Sequence, residues 1–247
     1  MGMVMPVRGI RPRSARSAVA DRPDPIPHPS PNFGPRRDGA RPDLIVLHYT
    51  AMTSAEAALD RLCDPLAEVS AHYLICERGQ IWQLVEEDMR AWHAGAGQWG
   101  AVGDINSRSI GIELANLGTH PFSQPQMAAL EALLRRIMAR WPIPPERVIG
   151  HSDMAPDRKY DPGARFDWQR LARQGLSIWP EAAEPGDFFT DAARFGYGID
   201  RFSPEAVLDA FRLRFRPGVT GPLDETDRGL IADLAARFPV DQSTPTA

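Results

Sequence analysis

The sequence predicts a mixed α/β domain over residues 44–180, with a central sheet flanked by helices, and a small three-helix domain over residues 187–239. Two observations support this prediction. In the first region, short runs of apolar and β-branched residues interleave with segments of helical periodicity. In the second, three helical patterns each carry one apolar stripe, and together these stripes can close a miniature core of modest stability.

The length of 247 residues, with 43% hydrophobic and 24% charged residues, suits one medium domain and one small one. Residues 1–43 contain eight arginines and four aspartates, and the stretch 11–42 has scarcely an apolar pair, so we predict a flexible leader over residues 1–43. Residues 240–247 are predicted to form a short tail. No apolar run is long enough to span a membrane, and no basic face suits a nucleic acid. Neither a membrane span nor a nucleic-acid partner is therefore expected.

The first domain opens with an apolar strand over residues 44–47. A helix over about 54–62 follows, because Thr53 or Ser54 can cap its open amides. The β-rich runs 72–76 and 81–85 are separated by four turn-forming residues, which predicts a hairpin.

The second half of this domain continues the alternation of strands and helices. Residues 110–115 read as a strand, and an amphipathic helix extends from Ser123 to Trp141. A short strand at 148–149 leads into a loop, and a further helix starts at Asp167. Prolines and acids between 178 and 186 mark a linker, after which helices are predicted over 187–195, 204–215 and 225–238.

The segment 150–163 concentrates one imidazole, three aspartates and a lysine in turn-forming sequence, so we expect the chemistry there. His48 ends the first strand, where a distant loop can meet it. Two histidines and one carboxylate are a common ligand set of catalytic zinc, which keeps a further position for water. From spacing alone, Asp153, Asp157 and Asp161 are all eligible as the carboxylate.

Glu113 is a charge on an apolar strand, where a carboxylate is costly unless it is paired or used. It suits a general base beside a metal-bound water. The alternative is an ion pair with an arginine such as Arg108. Lys159, in the same loop as the aspartates, suits an oxyanion stabiliser, and its alternative is a solvated surface lysine. Residues 91–95 suit the wall of a cleft.

Five segments form a combined motif: Leu-His-Tyr-Thr at 47–50, Val-Ser-Ala-His-Tyr-Leu-Ile at 69–75, Ala-Trp-His-Ala-Gly at 91–95, Asn-Ser-Arg-Ser-Ile-Gly-Ile-Glu at 106–113 and the loop 150–163. In this order they resemble the amidase_2 family, the zinc-dependent N-acetylmuramoyl-L-alanine amidases of the AmpD and AmiD type, which are related to T7 lysozyme and peptidoglycan recognition proteins. The resemblance covers most of residues 44–180. Each segment is a weak signal alone, but their combination is specific.

The resemblance implies roles for seven residues: Zn²⁺ ligands His48, His151 and Asp161; catalytic carboxylate Glu113; oxyanion stabiliser Lys159; and substrate-groove residues His93 and Asn116. The implied reaction is hydrolysis of the amide bond between N-acetylmuramic acid, or its anhydro form, and the L-alanine of a stem peptide. Peptidoglycan or muropeptide fragments are the implied partners. The alternative is a peptidoglycan recognition protein that binds without cutting.

Residues 187–239 resemble the peptidoglycan-binding module found on the AmiD branch, and the alternative is that they only brace the amidase domain. A separable module predicts that removal of everything after Pro185 leaves catalysis on small muropeptides intact and weakens attachment to intact sacculi. A monomer is expected. The expected compartment is the cytoplasm, because no signal peptide is visible, and the alternative is the periplasm by an unrecognised route.

Overall fold

The computed structural model describes residues 24–240. Within this range the chain forms eight strands: β1 (Ile26–Pro27), β2 (Phe33–Pro35), β3 (Leu44–Tyr49), β4 (Tyr73–Ile75), β5 (Ile81–Gln83), β6 (Met89–Ala91), β7 (Ser109–Leu114) and β8 (Val148–Gly150). It also forms eight α-helices: α1 (Ala55–Cys63), α2 (Ile105–Arg108), α3 (Gln124–Arg140), α4 (His151–Met154), α5 (Trp168–Ala172), α6 (Phe188–Phe195), α7 (Pro204–Phe215) and α8 (Glu225–Arg237). Among these helices, none has the length and apolar character that crossing a membrane requires.

The predicted mixed sheet is confirmed. Its six strands lie in the order β1-β5-β4-β7-β3-β8. β3 is parallel to β7 on one side and to β8 on the other, while β4 and β5 form the predicted antiparallel hairpin. Because both faces of the sheet are covered around β3, the run 44–47 is fully buried. The parallel strands β3, β7 and β8 end at the same edge of the sheet.

The predicted helix starts are also confirmed. All six predicted helices begin after a serine or aspartate whose side chain accepts a hydrogen bond from a backbone amide three residues further on: Ser54, Ser123, Asp167, Asp187, Ser203 and Asp224. The first amides of a helix have no partner within the helix, so such a cap fixes where the helix begins.

Helices cover both faces of the sheet. Helix α3 packs on the face that carries Ile45 and Leu47. The opposite face packs against the C-terminal helices, in one cluster that contains Leu44, Val46, Ile149, Phe188, Phe211 and Ile231. The three C-terminal helices are thus present as predicted. Their apolar stripes pack against one another and against the sheet in the same cluster. The modest stability of these helices on their own stays a prediction.

The prediction of a flexible leader over residues 1–43 is wrong for residues 24–43, whereas residues 1–23 lie outside the described range. β1 pairs with β5, and β2 pairs with β6. Arg36 donates hydrogen bonds to the backbone carbonyls of Glu87 at 2.7 Å and Ser107 at 2.8 Å. Backbone pairing and polar contacts order this segment, and an apolar pattern does not reveal either. Of the predicted tail, the structure describes only Val240.

Candidate metal centre

Three neighbouring strands bring the candidate residues to one edge of the sheet. His48 lies in β3, directly opposite Glu113 of β7 in the parallel register. His151 follows β8 as the first residue of α4. The carboxyl ends of parallel strands meet at one edge, and such edges are where ligands of α/β proteins bind. Residues about a hundred positions apart in the chain therefore become neighbours.

His48, His151 and Asp161 converge on one point. The two Nδ1 atoms lie 2.9 Å apart, and Asp161 Oδ2 lies 3.0 Å from His48 Nδ1 and 3.1 Å from His151 Nδ1. Zinc bonds of about 2.0–2.1 Å in tetrahedral geometry separate ligand atoms by about 3.3 Å, so a slight expansion of this triangle fits the ion. All three residues are buried. Their donor set and spacing match a divalent metal site.

The loop after α4 distinguishes the three aspartates that spacing left eligible. Asp157 is exposed. Asp153 accepts hydrogen bonds from the backbone amide of Gly150 and from Arg214, each at 2.8 Å, and so faces away from the histidines. Burial opposes the ionisation of Asp161, but its hydrogen bonds with the two histidines lower its pKa well below the ordinary value. Asp161 is thus the carboxylate that can complement a cation.

Each of the two histidines is held at its far ring nitrogen. His151 Nε2 lies 2.9 Å from the carbonyl oxygen of Ala94, and His48 Nε2 lies 3.0 Å from Nδ1 of His93. A carbonyl oxygen only accepts, so His151 carries a proton on Nε2. Burial lowers the pKa of His48 to about 4, which leaves its ring neutral. Metal binding requires neutral imidazoles.

The carboxylate of Glu113 has one oxygen atom that accepts no hydrogen bond from the described residues. Its Oε2 atom is buried and has no hydrogen-bond partner among the residues that the structure describes. The alternative of an ion pair with Arg108 is contradicted, because the Arg108 Nε atom donates to Asp43 at 2.9 Å. Burial, with a smaller contribution from Asp161, raises the pKa of Glu113 to about 8. A buried carboxylate with such a pKa suits proton transfer.

A cavity of about 370 Å³ opens over these residues, and Glu113 lines it together with the three candidate ligands. Trp92 and His93 contribute to its wall, as the cleft-wall prediction for 91–95 expects. Tyr160, 64% exposed, also lines the cavity. The site is therefore open to a ligand larger than water.

Lys159 also lines the cavity and is the single lysine of the chain. Its side chain is partly exposed. Across residues 24–240, no hydrogen bond or ion pair engages its ammonium group, which leaves the group free to meet a ligand. The role of Lys159 as an oxyanion stabiliser stays a prediction.

The two predicted substrate contacts differ in placement. His93 lines the cavity. Asn116 is buried, and the residues that line this cavity do not include it. Its amide nitrogen lies 3.2 Å from Nδ1 of His120, and its amide oxygen accepts from the backbone amide of Gly118 at 2.7 Å. Asn116 thus holds the loop that follows β7, and its contact with a substrate stays a prediction.

The helix that carries His151 is braced by the C-terminal region. Asp153 of α4 is fully buried. It accepts a hydrogen bond from the hydroxyl of Tyr197 and forms an ion pair with Arg214 of α7, both at 2.8 Å. Arg214 also donates to the carbonyl oxygen of Val148 in the edge strand β8, at 3.0 Å. The sequence indicated the helix faces, but not that this buried charge pair joins two distant segments.

Known proteins share both the sequence and the fold. A family model described as N-acetylmuramoyl-L-alanine amidase matches residues 38–164. N-acetylmuramoyl-L-alanine amidase AmiD of Escherichia coli is 35% identical over 234 residues, with 80% of this chain and 84% of AmiD covered. 1,6-Anhydro-N-acetylmuramyl-L-alanine amidase AmpD of Salmonella typhimurium is 37% identical over 160 residues, which cover 58% of this chain and 86% of AmpD.

A solved structure of Escherichia coli AmiD superposes on this chain with a TM-score of 0.73 and 32% identity. It covers 92% of this chain and 93% of the solved one. That structure is a complex with the substrate anhydro-N-acetylmuramic acid-L-Ala-D-γ-Glu-L-Lys.

Proposed function

This chain belongs to the amidase_2 family of N-acetylmuramoyl-L-alanine amidases, and from that premise we propose that zinc held by His48, His151 and Asp161 serves its catalysis. The enzyme hydrolyses the amide bond between N-acetylmuramic acid, or the anhydro form of that sugar, and the L-alanine of the stem peptide. We propose muropeptides or peptidoglycan fragments as its substrates, because the substrate bound in the solved AmiD structure is anhydro-N-acetylmuramic acid joined to a short peptide.

The observation that carries the proposal is the convergence of three ligand atoms beside an unpaired carboxylate. The ligand atoms lie within 4.8 Å of one another, and Glu113 lines the same cavity. Three protein ligands are the usual number at hydrolytic zinc sites, where a further position stays open for water or substrate. Zinc in such a site polarises a carbonyl group and activates water at neutral pH.

Glu113 moves the proton in the proposed reaction. As a carboxylate it accepts a proton from the attacking water, whose oxygen bonds to the carbonyl carbon. When the C–N bond breaks, the proton passes to the amine of L-alanine, and the muramic acid keeps the carboxylate. Burial raises the pKa of Glu113 to about 8, and a cation in the site brings it back toward working pH.

Lys159 stabilises the negative charge that develops on the carbonyl oxygen during attack, in this proposal. A fixed cation contributes most where water is excluded, and Lys159 lines the cavity without another partner among the described residues. Arg61 and Arg158 line the same cavity. These cations suit an acidic ligand such as a stem peptide with a γ-linked glutamate, whose α-carboxylate is free.

A recognition protein that binds muropeptides without cutting them is the alternative. Binding alone does not need a buried carboxylate without a partner, and such a group costs free energy. The Oε2 atom of Glu113 is such a group. The structure therefore favours hydrolysis.

The test is digestion of a purified anhydro-muropeptide, followed by mass spectrometry, before and after treatment with a chelator. We expect release of a peptide with N-terminal L-alanine, loss of this activity in chelator and its recovery on addition of zinc. Binding of the muropeptide without cleavage, at any zinc concentration, would favour the recognition protein.

A further inference from the structure

Two adjacent residues hold the two histidine ligands. The carbonyl oxygen of Ala94 lies against His151 Nε2, while the ring of His93 lies against His48 Nε2. The side chain of Asn106 fixes this segment, because its amide oxygen accepts hydrogen bonds from the backbone amides of His93 at 3.1 Å and Ala94 at 2.8 Å. Residues 93 and 94 thus contact both histidines on the side away from the proposed metal.

The hydrogen bonds of His93 define where each proton lies. Ser109 donates its one hydroxyl proton to the carbonyl oxygen of Ile105 at 2.6 Å. Toward His93 Nε2, at 3.1 Å, Ser109 can therefore only accept, so this nitrogen of His93 carries a proton. Nδ1 of a neutral His93 is then an acceptor, and His48 must donate its Nε2 proton to it. The lone pair of His48 consequently lies on Nδ1, toward His151 and Asp161.

The backbone makes room for this arrangement. A Cβ atom at Gly111 would lie 2.4 Å from Cγ of His93, so the ring occupies the space that any other residue would fill. Both ring nitrogens of His93 already have protein partners. A substrate would have to break one of these hydrogen bonds to engage His93.

We propose that His93 is a positioning residue that orients His48 as a metal ligand, rather than a substrate contact. The inference rests on the proposed zinc site. Groups that hydrogen-bond to the far nitrogen of a ligating histidine fix its tautomer and orientation, and their loss lowers metal affinity about 10- to 100-fold.

The test compares His93→Leu with His93→Asn. Asparagine places an amide oxygen near the position of Nδ1, whereas leucine has a similar size and no acceptor. We expect His93→Leu to lower zinc affinity about 10- to 100-fold in competition with a chromophoric chelator, and His93→Asn to recover most of the loss. The melting temperature of each metal-free variant controls for folding, and exposed His28 provides the control variant His28→Asn.

Unchanged zinc affinity in His93→Leu would overturn the inference. If the KM for the muropeptide rises while zinc affinity stays unchanged, His93 is a substrate contact instead. Equal losses in both variants, with equally lowered melting temperatures, would also overturn it. If His93→Leu does not fold, Ser109→Ala serves instead, with an expected loss of several-fold in affinity. Wild-type protein that binds no zinc would reject the proposed function itself, which separates the two failures.

Discussion

The two candidate histidine ligands have supports in different regions of the chain. His48 depends on His93, which lies inside the region 38–164 that the family model matches. The helix of His151 also contacts Arg214 of α7, which lies outside that region. All three candidate ligands and the groups at the far nitrogens of both histidines therefore lie within the shared amidase region, and the helix of His151 has an additional support from the segment that follows it.

The physical nature of the two supports also differs. Around His48, the supporting hydrogen bonds join neutral groups, and leaving one such buried group unsatisfied costs about 1–3 kcal/mol. Behind His151, Asp153 and Arg214 form an ion pair that is almost completely buried. Removal of one partner of a buried pair costs about 3–5 kcal/mol, because the other charge stays buried without compensation. Arg214 of α7 is thus part of the support of α4, and the separate domain over residues 187–239 stays a prediction.

Removal of everything after Pro185 should have the largest effect. The sheet face that carries Leu44 and Val46 would lose its cover of C-terminal helices, so we expect an aggregated or incompletely folded protein without amidase activity. Circular dichroism and thermal unfolding measure the loss. A truncated chain with wild-type melting temperature and activity on small muropeptides would restore the separable-module prediction.

Arg214→Met is expected to destabilise the protein by about 3–5 kcal/mol, because Asp153 stays buried without its cation. It should also weaken zinc binding, because α4 carries His151. Urea unfolding and chelator competition measure the two effects. The control is Arg212→Met, which breaks the buried pair with Asp227 between α7 and α8. It should lower stability and leave zinc affinity unchanged, and equal zinc losses in both variants would contradict a specific brace.

Glu113→Gln should keep zinc and both supports but lower turnover at least about 100-fold, the usual scale of a general base. Muropeptide cleavage at saturating substrate measures the loss. Glu131→Gln is the control, because Glu131 is a buried carboxylate that pairs with Arg170. Near-normal turnover in Glu113→Gln would remove Glu113 from the mechanism.

The same variant should show a pH-dependent gain in stability. Folding raises the pKa of Glu113 from 4.5 to about 8. Between these values the folded state holds a proton that the unfolded chain releases, so the free energy of unfolding falls as pH rises. A glutamine side chain does not titrate, so the Glu113→Gln variant lacks this loss of stability. The melting temperature of metal-free Glu113→Gln, relative to wild type, should therefore rise from pH 4.5 to 8, and a constant difference would contradict the buried carboxylate.

Tyr197→Phe should have the smallest effect, about 1 kcal/mol, because Asp153 loses one hydrogen bond but keeps its ion pair with Arg214. Urea unfolding measures the change. Zinc affinity should change less than in Arg214→Met. If Tyr197→Phe lowers zinc affinity more than Arg214→Met does, Tyr197 and not Arg214 is the main support of Asp153.

The sequence predicted the elements whose pattern is local. Caps such as Ser54 and Ser203 define helix starts within the sequence itself, and the apolar run 44–47 identified the central buried strand. Residues 24–43 escaped prediction because backbone pairing orders them, and the short helices α2 and α4 carry too few residues for a period to show.

The residues of the candidate site could be named from the sequence, but the residues that hold them in place could not. The resemblance pointed to Asp161, and the structure places it beside the two histidines. Spacing alone could not separate it from Asp153, because only the folded loop shows which carboxylate faces the histidines. The hydrogen bond between His93 and His48 joins residues 45 positions apart, and the pair of Asp153 with Arg214 joins residues 61 apart. The spacing of apolar residues along the sequence does not indicate such long-range pairs of polar side chains.

The most direct test of the proposed metal centre is the zinc content of the purified full-length protein, measured beside Asp161→Ala and Asp157→Ala. Asp157 lies in the same loop but is exposed, so its variant controls for loss of a nearby charge. We predict one zinc ion per chain in wild type and Asp157→Ala, and loss of both zinc and muropeptide cleavage in Asp161→Ala. Two results would contradict this metal centre. One is folded wild-type protein that cleaves muropeptides without bound zinc, and the other is an Asp161→Ala variant that still binds one zinc ion per chain.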